Sequence, residues 1–347
     1  MRHVRYVGLA VAVALCIVVA LIRGIGAAEP SSAGDAARVP SVRTSPATQE
    51  SRPGDLKEVN YYPAGGGWTY MWAHFDATAI DHDFARIRAL DANTVRIIIQ
   101  PSVFGYPVVR PVMENRLFEV IRLAAKHSLR VQLTLFDWWS RYTDIRGSKE
   151  WVSWLLSRFR HDPRIAALEL QNEVNARNRA AVAWARTMLP YLSAVMPGTL
   201  RTVSTGSVPA DVFALFTREL KNSPPDFWDY HYYGPARDAY AVLSRIKALS
   251  APLPLFVGET GYSTTGTPGS QSAHNQAQKT FYRAVFTAAS ELGLPAPAPW
   301  TLNDFARGAI PPGQTAADPA QYSYGLFELN GSPKPAVAVV RRAFSHP

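Results

Sequence analysis

The chain has 347 residues, 47% hydrophobic and 18% charged, with 22 Gly, 27 Pro and a single Cys. That composition excludes a disordered, collagenous or coiled-coil protein, and one Cys excludes an internal disulfide framework. The formal net charge of +9 is spread without a Lys/Arg block, so no nucleic-acid partner is expected, only a basic surface attractive to anionic envelope polymers.

Arg2 and Arg5 precede an apolar run from Val7 to Ile22, which Arg23 closes, and Gly26-Ala27-Ala28-Glu29 offers the small residues a signal peptidase reads. Residues 1–28 therefore read as a secretory signal peptide or a signal anchor. At 16 residues the run is long for a signal core and short for a spanning helix of about 20. Either reading exports the rest, so the expected location is secreted or extracytoplasmic and membrane-anchored, the anchor then being a membrane tether. Cys16 follows Leu15 where lipidation wants a small residue, so no lipid is expected. Residues 29–57, rich in Ala, Ser and Pro, read as a disordered linker.

From Glu58 onward short β-branched runs alternate with amphipathic stretches. The strand candidates are Glu58–Tyr62, Thr94–Gln100, Arg130–Asp137, Ile165–Asn172, Leu200–Thr205, Phe227–Tyr232, Leu255–Gly258 and Ala298–Leu302. The helices between and after them are Asp81–Leu90, Glu114–His127, Lys149–Arg160, Arg179–Ala194, Val212–Lys221, Asp238–Leu249, Ala273–Leu292 and Pro335–Phe344. Near-continuous apolar strands alternating with helices mean a parallel sheet. Eight such units over 58–347 predict an α/β fold of the (β/α)8 TIM-barrel class. A doubly wound sheet would want a phosphate-binding turn after the first strand. Gly65-Gly66-Gly67 lacks that spacing and reads as a mobile loop.

In such barrels the site is built at the carboxyl ends of the strands. The polar residues there are Arg96, Asp137-Trp138-Trp139, Glu169-Leu170-Gln171-Asn172-Glu173, His231, Tyr233, Glu259, Trp300, Asn303 and Asp304. Two carboxylates at one mouth suit glycosidic bond cleavage, in which one acid protonates the leaving oxygen and a second carboxylate attacks carbon or activates water. Glu173 and Glu259 fit, with their pKa values pushed apart. Arg96 would hold Glu259 ionised, or pair with Glu169 inside the barrel. Tyr233 would donate to Glu259, Asn172 would bind a sugar hydroxyl, and Trp300 and Trp138 would offer ring faces to sugars. Glu169 shares the face of Glu173 but lies deeper, as a paired interior carboxylate. A regular strand would send Asn172 and Glu173 to opposite faces, so both reach the site only if the strand twists or bulges. Trp151 and Trp154, three apart on a helix, read as packing.

Asn172-Glu173 after an apolar strand, His231-x-Tyr233, Glu259 ending a strand and Trp300 on the last resemble clan A of the glycoside hydrolases, and within it family 5, the family of cellulases and endo-β-mannanases. Leu133 to Tyr142, with Trp151 and Trp154, resembles the third-strand region of the endo-β-mannanases. Asp137-Trp138 stands where cellulase-like members place His, and Val174-Asn175 replaces a Pro-containing sequence common after the acid/base. The resemblance implies a retaining double displacement, with Glu173 as acid/base, Glu259 as nucleophile, and Arg96, Asn172, His231, Tyr233 and Trp300 in support. The expected substrate is a β-linked glucan or mannan, cut internally along a groove lined by the aromatic loops, by a monomer that needs no metal and no organic cofactor. The alternatives are a carbohydrate-binding pseudoenzyme on the same barrel, against which both carboxylates argue; a metal-dependent hydrolase, for which only His231 qualifies; and an adhesive surface protein, which leaves the polar strand ends as coincidence.

Overall fold

The computed structural model describes residues 52–265 and 269–345. The signal or anchor segment, and all but the last residues of the expected linker, lie outside the described residues.

Strands β1 (Glu58–Asn60), β2 (Thr94–Ile98), β3 (Arg130–Phe136), β4 (Ile165–Gln171) and β5 (Leu200–Thr202) pair in parallel in that order; β6 (Ser204–Thr205), β7 (Trp228–Tyr232) and β8 (Leu255–Thr260) form a second parallel set. The two sets are one surface. β5 pairs with β4 and β6 with β7, so the stretch 200–205, expected as one strand, belongs to both. On the other side the expected last strand, 298–302, carries ladder bonds although it is not a full strand. Ala298 N–H donates to Val257 O (2.9 Å), Trp300 N–H to Thr260 O (2.7 Å), Asn60 N–H to Pro299 O (3.1 Å) and Leu302 N–H to Asn60 O (3.3 Å). These bonds join β8 to β1, and the architecture is the expected (β/α)8 barrel.

All eight expected helices form, as Ala77–Ala89, Pro111–Lys126, Ile145–Leu156, Arg179–Val195, Ala210–Glu219, Ala239–Ser250, Gln271–Glu291 and Ala336–Ser345. Asp76, Asp144, Asn178 and Ser270 cap four of them by accepting backbone N–H bonds of the first turn. Three helical stretches end in a left-handed residue, Asp91, Ser128 or His161, which turns the chain toward the next strand.

Every residue of β2 and β4 is buried, but the two faces differ. Val95, Ile97, Leu168 and Leu170 belong to the large apolar cluster that also holds the helix faces, whereas Arg96 and Glu169 bond to each other across the interior. Burying each large aliphatic side chain of the outer layer contributes about 1.5–3 kcal/mol. The interior is thus a polar column, floored by a small apolar cluster of Leu56, Ala166, Ala167, Phe227, Phe256 and Ala298.

Two local features stand out. The glycine triplet lies in a loop packed against the barrel: Gly66 and Gly67 are buried, Gly67 N–H donates to Ala309 O at 2.9 Å, and a short helix, Thr69–Ala73, follows. Trp151 and Trp154 do not pack as a pair. Trp151 is fully buried with Nε1 donating to the Gly105 carbonyl, while Trp154 is 54% exposed, because a spacing of three turns it far enough to leave the interface.

Candidate active site

At the carboxyl ends of the strands lies a cavity of about 420 Å³, lined by Trp138, Asn172, Glu173, Tyr233, Glu259 and Trp300 among others. Four non-glycine residues with positive φ line it, namely Trp68 (47°), Trp138 (53°), Glu173 (48°) and Thr315 (30°). Non-glycine residues enter that region at a cost of order 1–3 kcal/mol, and such strain concentrates at functional sites.

Glu173 shows what the strain achieves. β4 ends at Gln171; Asn172 N–H then donates to Phe136 O at 3.0 Å, on the β3 side. Glu173 N–H turns the other way and donates to Ser204 Oγ at 2.8 Å, on the β6 side. The left-handed turn at Glu173 breaks the alternation of the strand, so both side chains reach the site. Asn172 Oδ1 accepts from Arg96 Nη2 at 2.9 Å, and Glu173 Oε1 meets His231 Nδ1 at 2.9 Å. Gly206 leaves room for the carboxyl, since a Cβ there would stand 3.2 Å from the Glu173 carboxyl carbon.

Glu259, near the end of β8, has a side chain only 7% exposed. Its Oε1 accepts from Arg96 Nη1, and its Oε2 accepts from the Tyr233 hydroxyl at 2.9 Å with His231 Nδ1 at 3.4 Å. Burial, then the charges of Glu259 and Glu173, push the Tyr233 phenol well above its ordinary value, so it stays a donor. One carboxylate oxygen of Glu173 and one of Glu259 lie within 4.8 Å of each other and of a His231 nitrogen. Trp300 is buried, edge-on to Tyr62 and Trp68, and lines the cavity wall. Trp138 is 55% exposed at the rim.

Arg96 joins both sequence-based alternatives, since it binds Glu259 and Glu169 together. Its Nε donates to Glu169 Oε2 at 2.7 Å, its Nη1 also to Asn60 Oδ1 at 2.8 Å, and burial leaves it no water. Burial disfavours the Arg96 charge, but the surrounding carboxylates reverse that and raise it well above its ordinary value. Arg96→Met is therefore expected to destabilise the fold by about 3–5 kcal/mol, the cost of stranding buried carboxylates. Arg96→Lys should fall close to it, because one ammonium cannot reach the acceptors on β1, β4 and β8 at once. Urea unfolding of both variants measures this, and a loss under about 1 kcal/mol for Arg96→Lys would refute it.

Of the supports beneath these residues, the sequence marked Asp137 as a strand-end residue but not Asp229. Asp137, raised to about 6 by burial despite its bonds from Gln100 and Asn172, holds the Asn172 amide at 3.2 Å. Asp229 sits under His231 with no exposure. Burial raises Asp229 to about 7, with His231 opposing. The Asp229-x-His231-x-Tyr233 alternation was the available signal, as it puts three polar residues on one strand face. Glu173 also departs from expectation. Burial raises its carboxyl, yet the bond and charge of His231 outweigh burial and leave it below its ordinary value. His231 is raised to about 9, because Glu259 and Glu173 outweigh its burial.

Glu173, His231 and Glu259 form one trio of ligand-type groups, and Glu169, Asp229 and His231 a second beneath it. Arg96 lies against Glu259 and Glu169 and already supplies the positive charge a cation would bring, so neither trio is read as a metal centre.

No family model matches the chain, and no curated protein does. Solved structures do. A GH5_18 protein from Streptomyces cattleya in complex with Manβ1-4GlcNAc matches with a TM-score of 0.67 and 21% identity, over 83% of this chain and 79% of that one. An exo-β-1,4-mannosidase from Opitutaceae bacterium strain TAV5 matches with a TM-score of 0.68 and 20% identity, over 83% of this chain but 58% of the mannosidase. A GH5_18 protein from Bifidobacterium longum subsp. longum ATCC 55813 matches with a TM-score of 0.68 and 18% identity, over 84% of this chain and 79% of that one. At these identities the likeness establishes the fold, and the chain is a (β/α)8 barrel of the kind seen in these glycoside hydrolase family 5 structures.

Proposed function

We propose that this protein is a retaining β-glycosidase acting on β-linked glucosides or mannosides, with Glu259 as nucleophile and Glu173 as acid/base. The observation that carries the reading is the close approach of the Glu173 and Glu259 oxygens, within 4.8 Å. Carboxyl groups about 5–5.5 Å apart suit double displacement, whereas inversion needs about 6.5–9.5 Å to admit water between them.

The groups around each carboxylate divide the labour. Arg96 and Tyr233 bind the two oxygens of Glu259 and favour its ionised form, ready to attack the anomeric carbon. Glu173 is 43% exposed at the mouth, and a sugar covering it removes water and pushes its carboxyl up. The proton shared between His231 Nδ1 and Glu173 then passes to the leaving oxygen as the glycosidic bond breaks. In the second half Glu173 takes a proton from water, and the hydroxide displaces Glu259 from the sugar. Asn172, held by Arg96 and Asp137, presents its amide beside the breaking bond.

Mannosides are the first substrates to test, because two proteins of this fold carry them in name or complex. Endo action has less behind it. Of the loop aromatics that suggested a groove, Trp72 belongs to the core, Trp68 and Trp139 are nearly buried, and Trp138 alone is broadly exposed. The exo-β-1,4-mannosidase points instead to a chain end. Export follows from the N-terminal apolar run, and location outside the cytoplasm is part of this proposal.

Proton NMR of the reaction with a β-mannoside, a β-1,4-glucoside and the matching polymers is the test. The β-anomer is expected first, with mutarotation to α following. Initial α-anomer would overturn retention, and sugar binding without hydrolysis would favour the binding-only barrel.

A further inference from the structure

Beneath the two carboxylates, the imidazole of His231 has a second face that the mechanism above leaves unused. Nδ1 looks up at Glu173 (2.9 Å) and Glu259 (3.4 Å); Nε2 looks down into the barrel, fully buried and without a hydrogen-bond partner. What faces Nε2 is acidic. Asp229 Oδ1 is 3.9 Å away, and a Glu169 oxygen lies within 4.8 Å of an imidazole nitrogen. Asp229 Oδ2 and Glu169 Oε1 are buried orphans too. Asp229 and His231 share β7 at alternate positions, which places both in the interior, while Tyr230 and Tyr232 between and beyond them bond to loop carbonyls of Val208 and Pro235.

Asp229 is held there by construction. Its Oδ1 accepts the Gly258 N–H at 2.9 Å, and a Cβ on residue 258 would stand 2.3 Å from that oxygen, so only glycine lets the carboxylate lie flat against β8. Glycine immediately before the candidate nucleophile thus makes space for a second acid one layer below.

We propose that Asp229 is a positioning residue that, through Nε2 of His231, sets how firmly the imidazole holds the proton it shares with Glu173. The inference rests on the glycosidase reading only for its consequence in catalysis, and the arrangement Glu173–His231–Asp229 is a property of the fold. Other charged groups face the same imidazole. Glu259 from β8 and Glu169 from β4 favour its charged form, Arg96 from β2 opposes it, and Glu58 from β1 lies deeper among the same carboxylates. Tyr233, after β7, reaches it only through Glu259. Unlike Glu259 and Glu169, which both bind Arg96, Asp229 has no cation bonded to it, so its charge acts on His231 without being offset by contact.

The sign follows. With Asp229 ionised, the imidazolium is stabilised and its proton is retained to about pH 9. Neutralising Asp229 lets the proton go at lower pH, and the pair loses the acid needed for leaving-group departure correspondingly earlier. One charge about 4 Å from the ring is worth about one pH unit or more.

Nitrogen-15 NMR titration of the imidazoles in the intact protein tests this, with the His231 signals identified by their loss in His231→Asn. Asp229→Asn keeps an acceptor for Gly258 N–H and removes the charge. The His231 midpoint is expected to fall by about one pH unit or more, and an unchanged midpoint overturns the proposal. If Asp229→Asn does not fold, the wild-type titration decides. The His231 midpoint should lie well above the usual imidazole range, and a midpoint within or below that range overturns it. These readouts need no substrate. If β-glycosides are hydrolysed, the alkaline limb of kcat/KM must fall with the NMR midpoint in Asp229→Asn. If none is hydrolysed, the glycosidase reading fails while the NMR result still decides the role of Asp229.

Discussion

Glu259→Ala is expected to lower kcat on a β-glycoside by roughly 10⁴-fold or more, the scale seen when a covalent nucleophile is removed. The loss should not depend on the leaving group, because no glycosyl-enzyme can form however good the departing oxygen is. Azide or formate in the space vacated by the carboxylate would attack from the same face Glu259 uses. With azide the product is then a glycosyl azide of inverted configuration, which NMR distinguishes directly. The variant also removes a charge partner of Arg96, whose Nη1 bonds the lost oxygen. Glu169 and Asn172 still hold the guanidinium, so the fold should survive. A melting curve run beside the kinetics separates lost chemistry from lost structure. A folded Glu259→Ala variant within tenfold of the parent would place the nucleophile elsewhere.

How much of this was legible in the chain depended on whether a signal was local. Apolar runs of five to seven residues between amphipathic stretches are local, and seven of the eight expected strand positions contain regular strand. The segment 298–302 reads as a strand but forms only bridging bonds, because its partners are β8 on one side and three-residue β1 on the other. The strand-end polar residues were legible through the barrel's own rule, since position along a parallel strand decides depth. The fate of Asn172 and Glu173 was not. Their shared reach depends on one backbone angle at Glu173, stabilised by Ser204, and on the room Gly206 leaves for the carboxyl, some thirty residues away in the chain. Asp229 was passed over because an acid flanked by Trp228 and Tyr230 has no mark of its own; its importance lies in Gly258 and the unpartnered nitrogen above it. Aromatics misled in the opposite direction. Trp154, read as packing, faces water from its helix, while the loop tryptophan Trp68 folds inward on Tyr62.

Glu173→Ala is the second large effect, and its pattern is more diagnostic than its size. General acid catalysis contributes about 10²–10⁴-fold, and all of it should vanish for natural glycosides and alkyl aglycones. A dinitrophenyl glycoside leaves without a proton, so its glycosylation step should stay within about tenfold of the parent. Deglycosylation still lacks a base, so the glycosyl-enzyme on Glu259 accumulates and appears as a burst followed by slow turnover. Azide needs no base and should restore turnover, giving a glycosyl azide of retained configuration, the opposite outcome to Glu259→Ala. The pH profile adds a check tied to this structure. His231 holds its proton to about pH 9 because Glu259 and Glu173 both face it, so the parent should lose activity as pH rises through that value. In Glu173→Ala the proton on His231 has no carboxylate through which to reach the leaving oxygen, and the alkaline limb should disappear for the dinitrophenyl substrate. A limb unchanged in the variant would mean that another group, not the Glu173–His231 pair, carries the proton.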